Sequence, residues 1–174
     1  MNKTIRNMVL ISIMAALICV LAPVAIPVGA IPITLATFVI YITAALLGPK
    51  RGTISIVLYI AIGMIGVPVF SAYRSGFGVV LGATGGYIIG YIPLAFLSGL
   101  FVYHDKSKFI FYPLGMIIGT IALYTVGTIW YMLIMDSGLV ESLLACVVPF
   151  LLFDLIKMII ASLTVYLIHQ RIEV

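Results

Sequence analysis

The sequence predicts an all-α membrane protein: six transmembrane helices, both termini cytoplasmic, and an irregular Gly-rich outer loop lining a pocket. Three observations carry that expectation. Of 174 residues, 64% are hydrophobic and only 8% charged, whereas soluble domains carry about 25% charged residues. The apolar residues come in successive runs of roughly the length that crosses a hydrocarbon core. Lysine and arginine gather at alternate loop ends, as the positive-inside bias requires. Together these indicate a single integral-membrane domain over residues 1–174, with nothing to spare for a soluble catalytic or ATP-binding domain.

The first span, Met8 to Ala22, follows Lys3 and Arg6 as the core of a signal peptide would. No small-residue cleavage site with a polar mature domain comes after it, so it reads as a retained span. Ser12, Ala15 and Ala16 place small side chains where another helix can approach closely, either within the bundle or from outside it. Pro23 and the Pro27 to Pro32 segment end the span. The uncharged stretch Val24 to Pro32 reads as a tight loop lying against the membrane. Thr34 to Leu47 forms the second apolar segment, with Thr34, Tyr41 and Thr43 offering polar atoms to an interior face. Gly48-Pro49 and Lys50-Arg51 separate it from the third, Thr53 to Ile65. Both segments are short for full spans at about 1.5 Å rise per residue, so flanking Gly and Pro residues should extend or break them.

Gly66 to Gly86, GVPVFSAYRSGFGVVLGATGG, has glycines at 66, 76, 78, 82, 85 and 86 and one charge, Arg74. Such a backbone turns freely and approaches a ligand closely. Irregular backbone at membrane depth survives only where it is buried in protein or lines a cavity. The apolar content of the stretch (Phe70, Tyr73, Phe77, Val79, Val80, Leu81) argues against a solvated linker, which would be polar. Tyr87 to Tyr103 is the fourth span and His104 to Lys108 a short charged loop. The fifth span is Phe109 to Met135, followed by a polar turn from Asp136 to Ser142. Leu143 to Ile168 is the sixth, with Pro149 expected to kink it just before Asp154.

With the N-terminus in the cytoplasm, Lys3, Arg6, Lys50, Arg51, Lys106, Lys108 and Arg171 all face inward, while Arg74 faces outward. The formal charge of +4 therefore sets orientation in a lipid bilayer and does not indicate nucleic-acid binding. Cys19 and Cys146 fall within apolar runs without metal-ligand spacing. His104 and His169 sit at inner helix ends, where solvent should reach them. With no nucleophile–base constellation and no HExxH, the chain does not read as an enzyme or a metal protein.

Asp154 and Lys157 stand apart from every other charge because they lie deep in the sixth span. At i and i+3 they share one helix face. An ionised side chain well inside a bilayer costs about 2.5–3.5 kcal/mol on insertion scales, so such residues usually face a cavity or a partner. The pair reads either as a salt bridge holding helices together or as the acceptor and cationic donor of a pocket for a small polar molecule. The pocket would open outward, as capture for uptake requires.

Several stretches resemble a known family. IPITLATF, LLGPKRGTIS (Leu46 to Ser55), GVPVF (Gly66 to Phe70), GATGGY (Gly82 to Tyr87) and Asp154-x-x-Lys157 occur in order across nearly the whole chain. This pattern is similar to that of the BioY family, the biotin-binding S-components of energy-coupling factor (ECF) transporters. The resemblance implies a membrane subunit without a cofactor that binds biotin from outside. Its partners would be a transmembrane coupling subunit and two cytoplasmic ATPases, in a bacterial or archaeal cell membrane. It further implies a ligand site of Asp154, Lys157, Tyr87, Gly86 and Gly85, with Thr34 beside it and Arg74 at the mouth. The face bearing Ser12, Ala15 and Ala16 would meet the coupling subunit. Two departures stand out: Ala83 replaces the usual proline of the Gly-Pro-Thr-Gly-Gly turn, and Ser71 to Ser75 replaces a Gly-rich segment. The alternative function is an ECF-type or proton-coupled carrier of another small carboxylated compound, lipoate- or pimelate-like.

Overall fold

A computed structural model describes residues 3–27 and 31–172. Helices dominate it, as they must where lipid offers the backbone no hydrogen-bond partner. In chain order these are α1 (Lys3–Leu21), α2 (Ala36–Met64), α3 (Phe77–Leu81), α4 (Gly85–His104), α5 (Phe111–Met135), α6 (Leu139–Cys146) and α7 (Val148–Ile172). Among the described residues, α1, α2, α4, α5 and the α6–α7 run are long and apolar enough to cross a membrane.

The longest of these, α2, is two helices. Gly48 has φ 81° and ψ 178°, outside helical space and open to glycine. Pro49 then starts a new helix with its φ already set. A Cβ placed on Gly52 would lie 3.0 Å from the Cα of Ala44, positions about 12 Å apart along a straight helix. The chain therefore reverses at Gly48, and residues 36–47 and 49–64 lie antiparallel. These are the two short apolar segments of the sequence, the second beginning at Pro49 rather than Thr53.

With that reversal, α2 supplies two of the helices of the bundle. One end is basic. There Arg51 donates to Asn7 Oδ1 at 2.9 Å and to the Tyr103 hydroxyl at 3.3 Å. At the same end, Tyr112 Oη lies 2.6 Å from His169 Nδ1. His169 is thus engaged by a buried tyrosine and not simply solvated, while His104 is exposed and rests edge-on against Phe111.

The opposite end carries the irregular segments. Two short antiparallel strands, β1 (Ala25–Ile26) and β2 (Ile33–Thr34), form where a plain loop was expected, with Ala25 opposite Thr34. Thr34 Oγ1 then accepts from the Ala36 amide at 3.1 Å, satisfying one of the free donors that open α2. Residues 66–84 are irregular, as the glycine density predicts, and include α3 and a single 3₁₀ turn at Ser71–Tyr73. Among the bonds that anchor this segment are Gly76 N–H to Gly63 O (2.8 Å), Ala72 N–H to Pro23 O (3.1 Å), and Trp130 Nε1–H to Gly82 O (3.0 Å).

The last span differs from expectation. Residues 139–146, read as a polar turn and the start of a span, form the separate helix α6. The break falls at Val147 (φ −122°, ψ −54°). Pro149 then lies in the first turn of α7, where its missing N–H costs nothing, and does not bend a continuous helix.

Candidate functional site

Residues of α7 divide cleanly by face. Leu151, Leu152, Phe153, Leu155, Ile156, Ile159 and Ile160 are exposed, whereas Asp154, Met158, Ala161 and Val165 are buried. Helical periodicity thus turns Asp154 and Lys157 inward, away from the surrounding lipid. Asp154 is 2% exposed.

Two other helices and one strand complete the bonding of the pair. Asp154 Oδ1 accepts from Lys157 Nζ at 2.9 Å and from Thr37 Oγ1 at 3.0 Å, and Oδ2 accepts from Tyr124 Oη at 2.8 Å. Lys157 Nζ also donates to Thr37 Oγ1 at 3.0 Å and to the Thr34 carbonyl at 2.7 Å. An ammonium has three donors. All three are used.

The pair lies at the wall of a cavity of about 30 Å³ near the irregular end of the bundle. This is room for one or two water molecules. Tyr59, Tyr87, Tyr91 and Phe150 form aromatic walls; Thr34, Thr37 and Thr84 supply hydroxyls, and Ser71 stands at the loop side. Ala22 just after α1, Thr37 on α2, Tyr91 on α4, Leu123 on α5 and Asp154 on α7 all line it, so the cavity sits among these five helices. Tyr87 is held in place by its hydroxyl, which donates to the Cys146 carbonyl, and by the Phe150 ring at 6.1 Å. The break at Val147 leaves that carbonyl outside any helical ladder, free to accept.

Thr34, Tyr87, Asp154 and Lys157 are therefore brought together. Arg74, Gly85 and Gly86 do not line the cavity. Arg74 is exposed and turns back to the Ser71 carbonyl at 3.4 Å. Gly85 and Gly86 open α4 where the indole of Trp130 crosses it; a Cβ at Gly86 would run into Trp130 and come within 3.1 Å of Gly127 Cα. Gly86 lets α4 pack closely on α5, and Gly85 leaves room for the Val80 carbonyl at the end of α3, so the two set the position of Thr84 and Tyr87. Tyr41 is fully buried below the site, 2.6 Å from Thr120 Oγ1, and Phe77 is exposed. On α1, Ser12 and Ala16 are exposed, but Ala15 is buried against the rest of the bundle.

Thr37, Tyr59, Tyr91 and Tyr124 were not singled out from the sequence. A signal existed for two of them. Thr37 stands at i, i+4 to Tyr41 on α2, and Tyr91 at i+4 from Tyr87 on α4, so each shares a helix face with a residue that was named. Tyr59 and Tyr124 follow Ser55 and Thr120 at i+4, but with Thr53 on the one helix and Tyr112, Thr125, Thr128 and Tyr131 on the other, nothing in the sequence marks these two hydroxyls above the rest.

The family model for BioY matches residues 1–174. The chain belongs to the BioY family. The biotin transporter BioY of Thermotoga maritima is 35% identical over 158 residues, covering 91% of this chain and 92% of that one. The biotin transporter BioY2 of Lactococcus lactis subsp. cremoris is 31% identical over 162 residues, covering 93% and 89%. A solved crystal structure, described as the S-component for biotin from an ECF-type ABC transporter, superposes with a TM-score of 0.89 at 30% identity. It covers 98% of this chain and 95% of its own. Membership in BioY agrees with the helical membrane architecture and accounts for the motifs that span the sequence.

Proposed function

We propose that this chain is the membrane-embedded subunit that captures biotin for ECF-type uptake. The observation that carries the reading is the inward-facing Asp154–Lys157 pair at a cavity wall, in a chain whose relatives are named biotin transporters. A ureido group presents N–H donors beside a polarised carbonyl. An acceptor and a cationic donor 2.9 Å apart match that pattern. Asp154 accepts from the ureido N–H and Lys157 donates to the ureido oxygen, each such charged bond contributing about 1.5–3 kcal/mol. The thiophane ring and methylene chain lie against Tyr59, Tyr91 and Phe150, gaining about 0.8 kcal/mol per buried CH₂. Because the cavity holds only a water or two, entry of the vitamin displaces the 66–84 segment outward.

Orientation follows from charge. The basic end faces the cytoplasm and the cavity end faces out, which gives six membrane crossings with both termini inside the plasma membrane. The exposed Ser12 and Ala16 on α1 form the surface for a transmembrane coupling subunit, itself served by two cytoplasmic ATPases. The chain performs no chemistry on its ligand.

Isothermal titration of the purified chain with biotin and with lipoate tests the ligand. Biotin is expected to bind at nanomolar concentration, at least a hundredfold more tightly than lipoate. Equal affinities, or biotin binding weaker than about micromolar, would overturn the assignment.

A further inference from the structure

At the basic end, far from the cavity, α4 and α5 leave a groove of about 520 Å³ between Leu100, Phe101, Tyr103, His104 and Phe111. Its walls are apolar and aromatic, with the His104 and Phe111 rings edge to face at 5.3 Å. Exposed side chains continue the same stripe along both helices: Phe96 and Leu100 on α4, Leu114 and Ile117 on α5. The stripe is thus a lipid-facing surface through its height, and the groove is its lower end. The rim is cationic. Lys106 Nζ stands 3.8 Å above the Tyr103 ring, and Arg51 reaches the hydroxyl of that ring. Asp105 pairs with Lys108 at 3.3 Å, which leaves the turn with the positive charge of Lys106.

We propose that this groove seats one acyl chain of an anionic phospholipid, whose phosphate lies beside Lys106. Apolar walls at membrane depth require a hydrocarbon occupant, and the cations at the rim select its headgroup. A zwitterionic lipid carries its own cation to the same place and gains less. Each basic residue near an anionic headgroup strengthens attachment roughly fivefold. The site is independent of the biotin reading, since the two lie at opposite ends of the bundle.

Native mass spectrometry of the delipidated full-length protein, titrated with phosphatidylglycerol, phosphatidylcholine or glycerol phosphate, tests it. One phosphatidylglycerol should remain bound, at least fivefold more tightly than phosphatidylcholine, and glycerol phosphate should not bind. Lys106→Gln should remove the preference between the lipids, and Leu100→Trp, which fills the groove, should release both. Biotin titration of the same samples reports whether they are folded and should be unchanged. Equal retention of the two lipids, no effect of either substitution, or a dimer mass lost with Leu100→Trp would overturn the proposal. A failure to bind biotin with lipid preference intact would count against the biotin reading alone.

Discussion

Asp154 and Lys157 are tolerated inside the bundle because each satisfies the other and both are satisfied by neighbours. Lys157 spends its three donors on Asp154, Thr37 and the Thr34 carbonyl. A ligand acceptor can therefore reach Lys157 only by taking the place of one of these. Under the proposed function that place is the Thr34 carbonyl's, which lies on the short strand β2 and outside the helices. Removing one charge is a different matter from exchanging a partner. Lys157→Met strands a carboxylate that is 2% exposed, and breaking such a pair costs about 3–5 kcal/mol. The single variant should unfold at markedly lower temperature in a thermal-shift assay, and Asp154→Asn combined with Lys157→Met should recover much of the loss. Equal stability of the single and double variants would show that the pair does not depend on mutual neutralisation.

At the scale of elements, α1 divides buried from exposed small residues within a few positions. Ala15 is buried in the bundle, while Ser12 and Ala16 remain exposed. A tryptophan at position 16 should abolish co-purification with the coupling subunit and leave biotin affinity within about threefold of the parent. Loss of both would place Ala16 in the fold of the bundle itself. The elements also show what sequence makes legible. Long apolar runs, Gly48-Pro49 and the glycines of 66–86 marked the helices, the reversal and the irregular outer segment, because each has a direct backbone consequence. The role of Gly85 and Gly86 did not follow, since a glycine serves equally where a ligand or an indole comes close. Here the close approach is by the Val80 carbonyl at Gly85 and by Trp130 at Gly86. Pro149 signalled an interruption, but a proline fits the first turn of a new helix as well as a kink. The break accordingly lies at Val147, where it frees the Cys146 carbonyl for Tyr87. Tyr124, one of several hydroxyls on α5, could be assigned only when three helices converged on one carboxylate.

For the whole molecule, charge asymmetry and cavity position make one statement about direction. The cluster from Asn7 and Arg51 to Tyr103 lies at one end, and the cavity lies at the other. In intact cells, a membrane-impermeant thiol reagent should label Tyr73→Cys and leave Lys108→Cys unlabelled until the cells are opened. Labelling of Lys108→Cys from outside would invert the orientation and remove the basis for capture from the medium. The account as a whole rests on the carboxylate of Asp154 as the acceptor for biotin. The direct measurement is biotin affinity of Asp154→Asn, whose amide oxygen still accepts from Lys157; leaving that ammonium without its counter-charge lowers thermal stability, so affinity is read well below the variant's unfolding temperature. A loss of one to two orders of magnitude, about 1.4–3 kcal/mol, is the predicted result, whereas unchanged affinity in a folded variant would contradict it.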